Sequence, residues 1–156
     1  MAQRSHTLLY YQPDISIRGE DGQSIALVQV KNARVLSRDI ALALYHDIIA
    51  ESTASYAPYF LLLSQRLGFL WKQRGRRENV SPMVEFPMEG VVARYLPALT
   101  ADEWLRGREL DFIVSQWLAD LAIGLQPSTG EPEKSLAEFG FLAAIEGALV
   151  RIGTIA

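Results

Sequence analysis

An Asp-Gly pair between two β-rich runs is the feature that most constrains the fold of this chain. Residues 12–32 read Gln-Pro-Asp-Ile-Ser-Ile-Arg-Gly-Glu-Asp-Gly-Gln-Ser-Ile-Ala-Leu-Val-Gln-Val-Lys-Asn. Asp-Gly between alternating apolar residues is the strongest short-range signal for a two-residue β-hairpin turn. The register then follows by counting from Asp21-Gly22. It pairs Glu20 with Gln23, Ile17 with Ala26 and Asp14 with Gln29.

This register predicts one apolar and one polar face. Side chains alternate along a strand, so residues that share a face are two positions apart. The polar face brings Asp14 next to Gln29, because directly opposed side chains lie about 4.5–5.5 Å apart at Cβ. Lys31 lies two residues beyond Gln29 and is predicted on the same face. The apolar face carries Ile15, Ile17, Ala26, Val28 and Val30, with Ser24 near the turn.

The residues Asp14, Gln29 and Lys31 form a candidate catalytic cluster. A carboxylate and an amide oxygen that converge on one point can hold a hard cation such as Mg²⁺, which keeps several waters. An ammonium beside that cation can stabilise or orient a hydroxide that attacks a phosphodiester. The alternative is a solvated strand end with a surface ion pair, which contributes little to stability. Spacing alone leaves both interpretations open.

Composition restricts the classes of protein to which the chain can belong. Its 156 residues, 49% apolar and 21% charged, suit a single soluble domain with a sizeable core. The absence of cysteine excludes disulfide frameworks, zinc-thiolate sites and a cysteine nucleophile. The polar N-terminus lacks the apolar core of a signal peptide, and the most apolar run, Phe139 to Val150, is too short to span a bilayer. We therefore expect a cytoplasmic protein without a membrane segment.

The first half of the chain predicts an α/β fold with a mixed sheet. Apolar residues at helical spacing predict a helix from Arg38 to Glu51. The continuous apolar run Tyr59 to Leu63 predicts a strand buried on both faces, and Phe69 to Lys72 a further strand joined to it by a short hairpin. With Thr7 to Tyr11 as another strand, we expect four to five strands and a βαβ crossover with a parallel pair.

The second half of the chain is predicted to be helical. Met88 to Leu96 is predicted as a short helix that ends before a proline. Thr100 to Leu125 begins with the capping-box spacing and is predicted as a long helix. A last helix is predicted from about Glu133 to Ile152, and its exposed part is a candidate surface for homodimerisation. Residues 1–79 are thus expected to form the α/β core, and residues 80–156 a helical extension packed on it.

Basic residues are concentrated in one segment. Lys72-Gln73-Arg74-Gly75-Arg76-Arg77 carries four cations in six residues, which is expected of a loop that contacts phosphates. A solvated loop is the alternative interpretation. Because the net charge is −3, binding of nucleic acid requires a local patch of this kind. The candidate nucleic-acid contacts are Arg34, Arg38, Lys72, Arg74, Arg76 and Arg77.

Pro13-Asp14, a hairpin and Gln29-Val30-Lys31 resemble the signature of the PD-(D/E)XK nucleases, the restriction-endonuclease-like superfamily. Gln29 stands where most members have Asp or Glu, and Mrr-like restriction enzymes are recognised with a Gln-X-Lys version of the motif. The resemblance covers about residues 8–72 and implies a restriction-endonuclease-like core. The strands Pro-Tyr-Phe-Leu-Leu-Leu-Ser and Gly-Phe-Leu-Trp-Lys are also similar to those of uncharacterised bacterial proteins of this fold.

The resemblance implies a nuclease that hydrolyses phosphodiester bonds of DNA with Mg²⁺ or Mn²⁺. It implies that Asp14 is the metal-binding carboxylate, Gln29 a neutral second ligand or water-orienting group, and Lys31 the cation that assists the attacking water. The backbone carbonyl of Val30 is a further implied metal ligand. Many members also carry an acidic residue on a helix before the first strand, and residues 1–6 contain none.

Two other functions remain open. The neutral Gln29 supports a catalytically inactive nuclease fold retained as a binding or assembly module, because one ligand charge fewer weakens Mg²⁺ binding. An α/β interaction protein without nuclease ancestry is the third hypothesis. A P-loop, a dinucleotide fingerprint, a zincin motif and a nucleophile elbow are all missing from the sequence.

Overall fold

The computed structural model describes residues 13–32, 36–50, 57–73, 83–100, 102–125 and 130–153. Its strands are β1 Ile15–Arg18, β2 Ser24–Val30, β3 Tyr59–Leu63, β4 Leu67–Lys72, β5 Met83–Pro87 and β6 Leu149–Ile152. Its helices are α1 Arg38–Ala50, α2 Glu89–Tyr95, α3 Glu109–Ala122, α4 Glu133–Glu138 and α5 Phe141–Ile145. The predicted strand from Thr7 to Tyr11 lies outside the described residues.

The strands form one mixed sheet in the order β5-β4-β3-β2-β1-β6. β2 and β3 are parallel and flank α1 in the chain, whereas the other neighbouring pairs are antiparallel. The predicted βαβ crossover is therefore confirmed. The described residues contain six strands rather than the predicted four to five, because β5 and β6 come from the half of the chain that was predicted to be helical.

Apolar residues cover both faces of the sheet. The larger core lies on the face of Ile15 and Val28, where α3 contributes Trp117. The smaller core lies on the face of Leu27, where α1 contributes Tyr45. β3 is buried along its whole length, as its continuous apolar run predicts.

The β1–β2 hairpin has the predicted register. Ile17 pairs with Ala26 and Ile15 pairs with Val28. All four side chains are fully buried in the larger core. A slip of one residue would turn these side chains to the opposite face, which is why the apolar pattern specifies the register.

The turn of this hairpin differs from the predicted two-residue turn. The N–H of Gly22 donates to the carbonyl of Gly19 at 2.9 Å, and the N–H of Gly19 donates to the carbonyl of Gln23 at 3.0 Å. Gly22 has a φ of 83°, which a residue without Cβ adopts readily. The predicted pairing of Glu20 with Gln23 is therefore wrong. A register shift at Arg18 restores the expected pairing further along the strands.

The predicted long helix from Thr100 begins later than expected, at Glu109. The carboxylate of Glu103 does accept the Thr100 N–H at 2.7 Å, as the capping-box spacing predicts. The same contact recurs at the true start of α3, where Glu109 accepts the Arg106 N–H at 2.7 Å. The capping box of Thr100 and Glu103 therefore closes a single turn and does not begin a helix.

A buried glutamine explains why the chain between the two turns is not helical. Gln65 is 6% exposed, and its amide donates to the Glu103 carbonyl at 2.8 Å and accepts the Leu105 N–H at 2.9 Å. Both ends of the amide are thus paired, as burial requires. The loop held in this way continues to Gly107, whose carbonyl accepts the Asn32 amide at 3.0 Å. The start of α3 therefore lies beside the end of β2.

The predicted helix from Glu133 to Ile152 is wrong. Gly140 and Gly147 have φ values of 88° and 75°, and positive values of this kind end helices. The segment divides into α4, α5 and β6, which pairs with β1. The long C-terminal helix on which the predicted homodimerisation depended is therefore absent from the described residues. Within those residues, no helix has the length and hydropathy to cross a lipid bilayer.

Candidate functional site

The carboxylate of Asp14 lies just before β1, beside the last residues of β2. Its Oδ2 accepts the amide N–H of Gln29 at 3.0 Å and the backbone N–H of Val30 at 2.7 Å. Asp14 and Gln29 are the next pair in the register that joins Ile15 to Val28. The structure therefore brings together the two residues that the hairpin pattern predicted to be neighbours.

The Asp14 carboxylate takes the place of a backbone partner for β2. The N–H of Lys31 donates to the carbonyl of Leu63 in β3 at 2.7 Å. Successive N–H groups of a strand point to opposite sides, so the Val30 N–H points towards β1. The carbonyl of a strand residue lies on the same side as its N–H. The Val30 carbonyl, the implied metal ligand, is therefore on the side of Asp14.

Lys31 follows β2 at the same end of the sheet. Alternation along the chain places it on the face of Gln29, and the residue is half-buried. Its backbone position is fixed by the hydrogen bond to Leu63. Among the residues that the structure describes, no ion pair involves the Lys31 ammonium. The three predicted catalytic residues thus lie at one end of one hairpin.

A second carboxylate, that of Asp111, approaches Asp14 from the first turn of α3. Burial raises the pKa of Asp111, and the negative charge of Asp14 raises it further. The Arg108 guanidinium, whose Nε lies 3.5 Å from Asp111 Oδ2, acts in the opposite direction on this pKa. The effect of Asp14 means that the two carboxylates are close enough to interact electrostatically.

Sequence reasoning missed Asp111 because its local pattern is ordinary. Glu109 and Asp111 both lie in the first turn of α3, where a negative charge suits any helix dipole. That acidic first turn is the only local signal. The approach of Asp111 to Asp14 depends instead on the loop before α3, which is held by Gln65 and by the contact between Asn32 and Gly107.

Two of the predicted nucleic-acid contacts, Arg38 and Lys72, lie in the described residues, and neither is beside Asp14. Lys72 lies at the end of the sheet where β3 begins, whereas Val30 lies at the end where β3 finishes. Nη1 of Arg38 lies 3.5 Å from the carboxylate of Glu85 in β5. The remaining predicted contacts lie outside the described residues. They are Arg34, Arg74, Arg76 and Arg77.

The donor set suits a hard cation that keeps part of its water shell. The carboxylates of Asp14 and Asp111 and the carbonyl of Val30 supply oxygens of the kind that Mg²⁺ and Mn²⁺ bind. Gln29 presents its amide nitrogen, not its oxygen, to Asp14, so its oxygen would become a ligand only if the amide turned over. No three His, Cys, Asp or Glu residues within the described ranges form a metal-binding group. A cation at this site would therefore rely on backbone oxygens as well as on carboxylates.

A cleft of about 720 Å³ opens on the α3 side of Asn32. Three of its lining residues are acidic, and one is basic. The acidic residues are Asp102, Glu103 and Glu109, and the basic one is Arg106. This side of the candidate site is therefore predominantly negative and does not favour phosphate groups.

Comparisons with known proteins leave the family of this chain unassigned. No protein-family model matches it, and the curated proteins and the solved structures gave no significant match. The nuclease hypothesis therefore depends on the residues and the geometry of this chain alone.

Proposed function

We propose that the protein is a metal-dependent phosphodiester hydrolase that cleaves DNA at Asp14, Gln29 and Lys31 with Mg²⁺ or Mn²⁺. The observation that carries the proposal is the 3.0 Å hydrogen bond from the Gln29 amide to the Asp14 carboxylate. It holds an acid and an amide together two residues from a lysine on the same face. This is the combination that the Asp and Gln-X-Lys motif requires.

Asp14 is the main anionic ligand in this proposal. Two N–H donors fix its Oδ2, so the carboxylate is oriented by the protein before a cation arrives. Asp111 is a second carboxylate near Asp14, and it is paired with Arg108. When bound, Mg²⁺ or Mn²⁺ would act as a Lewis acid on a phosphoryl oxygen and lower the pKa of a bound water.

Lys31 is the cationic group of the proposed site. A phosphodiester gains negative charge on its oxygens as water attacks, and a fixed ammonium stabilises that charge. Partial burial strengthens this effect, because the surrounding dielectric is lower than that of water. In this role Lys31 stabilises the charge and orients the attacking water.

Nicking of supercoiled plasmid DNA in the presence of Mn²⁺ tests the proposal. We expect cleavage by the wild type and a loss of at least about 10²-fold in Lys31→Ala, the size of effect seen when one charge-stabilising group is removed. The melting temperature should change little, because no described ion pair is lost. Lys134→Ala is the matched control, since Lys134 is an exposed lysine on α4. Absence of cleavage by the wild type across plasmid, linear and single-stranded DNA with either metal would refute the proposal.

A catalytically inactive binding or assembly module is the second candidate function. It is favoured because each carboxylate has a partner without a metal: Asp14 accepts the Val30 N–H, and Asp111 pairs with Arg108. Titration calorimetry with Mg²⁺ and Mn²⁺ separates the two candidates. Binding that disappears in Asp14→Asn supports the hydrolase, whereas no detectable binding by the wild type supports the inactive module.

A further inference from the structure

The polar face of the hairpin continues across β1 and β6 as an exposed surface. Ser16 pairs with Leu27 on one side and with Arg151 on the other, and Arg18 pairs with Leu149. Paired residues lie on the same face of a sheet. α1 covers this face at Leu27, whereas Arg18, Leu149 and Arg151 are exposed. We name this surface the β1–β6 face and define it by Ser16, Arg18, Leu149 and Arg151.

The β1–β6 face is positively charged. It carries two arginines and no acidic residue, in a chain whose net charge is −3. Among the described residues, Arg151 forms no ion pair. Arg18 donates one N–H to the Gly22 carbonyl at 3.1 Å, which leaves most of its five guanidinium donors for a ligand.

The opposite side of the candidate site repels a polyanion. The cleft beside Asn32 is lined by three acidic residues against one basic residue, whereas the carboxylate of Asp111 near Asp14 is offset by its ion pair with Arg108. A phosphate chain that reaches Asp14 is therefore directed away from α3 and towards the β1–β6 face, because the acidic cleft repels it and the two arginines attract it.

The two arginines follow Asp14 along the β1–β6 face. Ser16, which pairs with Arg151, is two residues from Asp14, and Arg18 is four residues from it. At about 3.3 Å per residue, these positions lie about 7 Å and about 13 Å from Asp14 along β1. Both arginines are therefore close enough to Asp14 to contact the backbone of a nucleic acid that is held there.

We propose that DNA lies along the β1–β6 face, with Arg151 and Arg18 contacting backbone phosphates on one side of the bond to be cleaved. The assignment rests on the proposed function, because it takes Asp14 as the point of cleavage. Phosphate contacts fix the position of the DNA without reading its sequence. Binding through this face is therefore independent of sequence and decreases steeply with salt.

Salt-dependent binding of duplex DNA in EDTA tests this assignment without cleavage. Fluorescence anisotropy with a labelled duplex of about 20 base pairs measures the affinity at several salt concentrations. Relative to wild type, Arg18→Gln/Arg151→Gln should bind the duplex about tenfold more weakly. The slope of the logarithm of affinity against the logarithm of salt concentration should decrease in magnitude by about 2. The control Lys134→Gln removes one exposed positive charge on α4 and should leave the slope unchanged, and it is matched to Arg151→Gln alone.

Two results would overturn the assignment: no measurable DNA binding by the wild type, or an unchanged affinity and slope in the double variant. Arg151→Gln alone should reduce the slope by about 1 and breaks no described hydrogen bond. It therefore replaces the double variant in the test if loss of Arg18 disturbs the hairpin. Plasmid cleavage separates this assignment from the proposed function. Cleavage that depends on Lys31, together with unchanged binding by the double variant, refutes only the β1–β6 face. Weakened binding without cleavage refutes only the hydrolase.

Discussion

The carboxylate of Asp14 accepts the backbone N–H of Val30 at 2.7 Å and so supplies β2 with a partner at the point where β1 has not yet begun. One side chain therefore serves both the sheet and the proposed chemistry. A loss of activity on replacing it has two explanations, local unfolding and loss of a ligand. The choice of substitution separates them.

Asp14→Ala and Asp14→Asn should differ in stability but not in activity. Alanine leaves the buried Val30 N–H without an acceptor, which should lower the free energy of unfolding by about 1–3 kcal/mol. Asparagine keeps a carbonyl oxygen and should cost less than alanine. Both remove the negative charge and should reduce cleavage by at least about 10²-fold. Urea unfolding and plasmid nicking measure the two effects, and equal stability of Asp14→Ala and the wild type would show that the 2.7 Å contact contributes nothing.

An ion pair between a buried carboxylate and a partly exposed arginine joins three helices beside the larger core. Glu133 of α4 is 3% exposed, and its Oε2 lies 2.7 Å from Nη2 of Arg94 in α2 and accepts the indole N–H of Trp117 in α3 at 3.0 Å. Glu133→Ala leaves the buried indole N–H of Trp117 without this acceptor and should lower the free energy of unfolding by about 1–3 kcal/mol. Glu133→Gln keeps an acceptor and should cost less.

Chemical denaturation of these two variants measures the contribution of Glu133. Glu138→Ala is the control, because Glu138 is an exposed acid on the same helix. A loss of stability in Glu133→Ala no greater than in Glu138→Ala would mean that the contacts of Glu133 do not hold the three helices together.

Gly68 marks the closest packing between β4 and its neighbours. A Cβ added there would lie 2.7 Å from Cζ of Phe86 and 2.8 Å from Cδ2 of Leu63. Gly68→Ala should therefore lower the free energy of unfolding by about 1–3 kcal/mol through overpacking. Gly90→Ala in α2 is the matched control, because its Cβ would meet nothing within 4 Å and alanine favours a helix. Thermal melts should move in opposite directions, and equal shifts would contradict the packing explanation.

The sequence was sufficient to predict the elements whose stabilising contacts are local in the chain. The register of Ile17 and Ala26 follows from alternation, since only one register buries all the apolar residues. β6 was not predictable in this way. The apolar residues of Leu149–Ile152 continue a run that also fits a helix, and the pairing of β6 with β1 joins distant parts of the chain.

The same distinction applies to the candidate site. Asp14, Gln29 and Lys31 belong to one hairpin, so their proximity follows from its register. Asp111 belongs to α3, and its approach to Asp14 requires Gln65 to hold the loop before that helix. No spacing in the sequence encodes that approach, because it depends on hydrogen bonds between the turn after β3 and a loop distant in the chain.

The raised pKa of Asp111 predicts a pH-dependent stability of defined sign. Burial is the main cause, the charge of Asp14 adds to it, and Arg108 opposes it. An acid whose pKa is higher in the folded than in the unfolded state holds its proton more tightly when folded. Its ionisation therefore lowers the free energy of unfolding as the pH rises from its ordinary pKa through its folded-state pKa. Asp111→Asn, which cannot ionise, should be more stable than the wild type at neutral pH.

That advantage of Asp111→Asn should shrink as the pH falls towards the ordinary aspartate range, because the wild type becomes protonated. Urea midpoints of both proteins from about pH 7 to about pH 4 measure it, with the exposed Asp102→Asn as the control for loss of one carboxylate. A variant less stable than the wild type at neutral pH, or an advantage that grows on acidification, would contradict the prediction. Addition of Mn²⁺ should stabilise the wild type more than Asp111→Asn, because binding to the folded state alone raises stability by mass action and the variant lacks one of the two carboxylates.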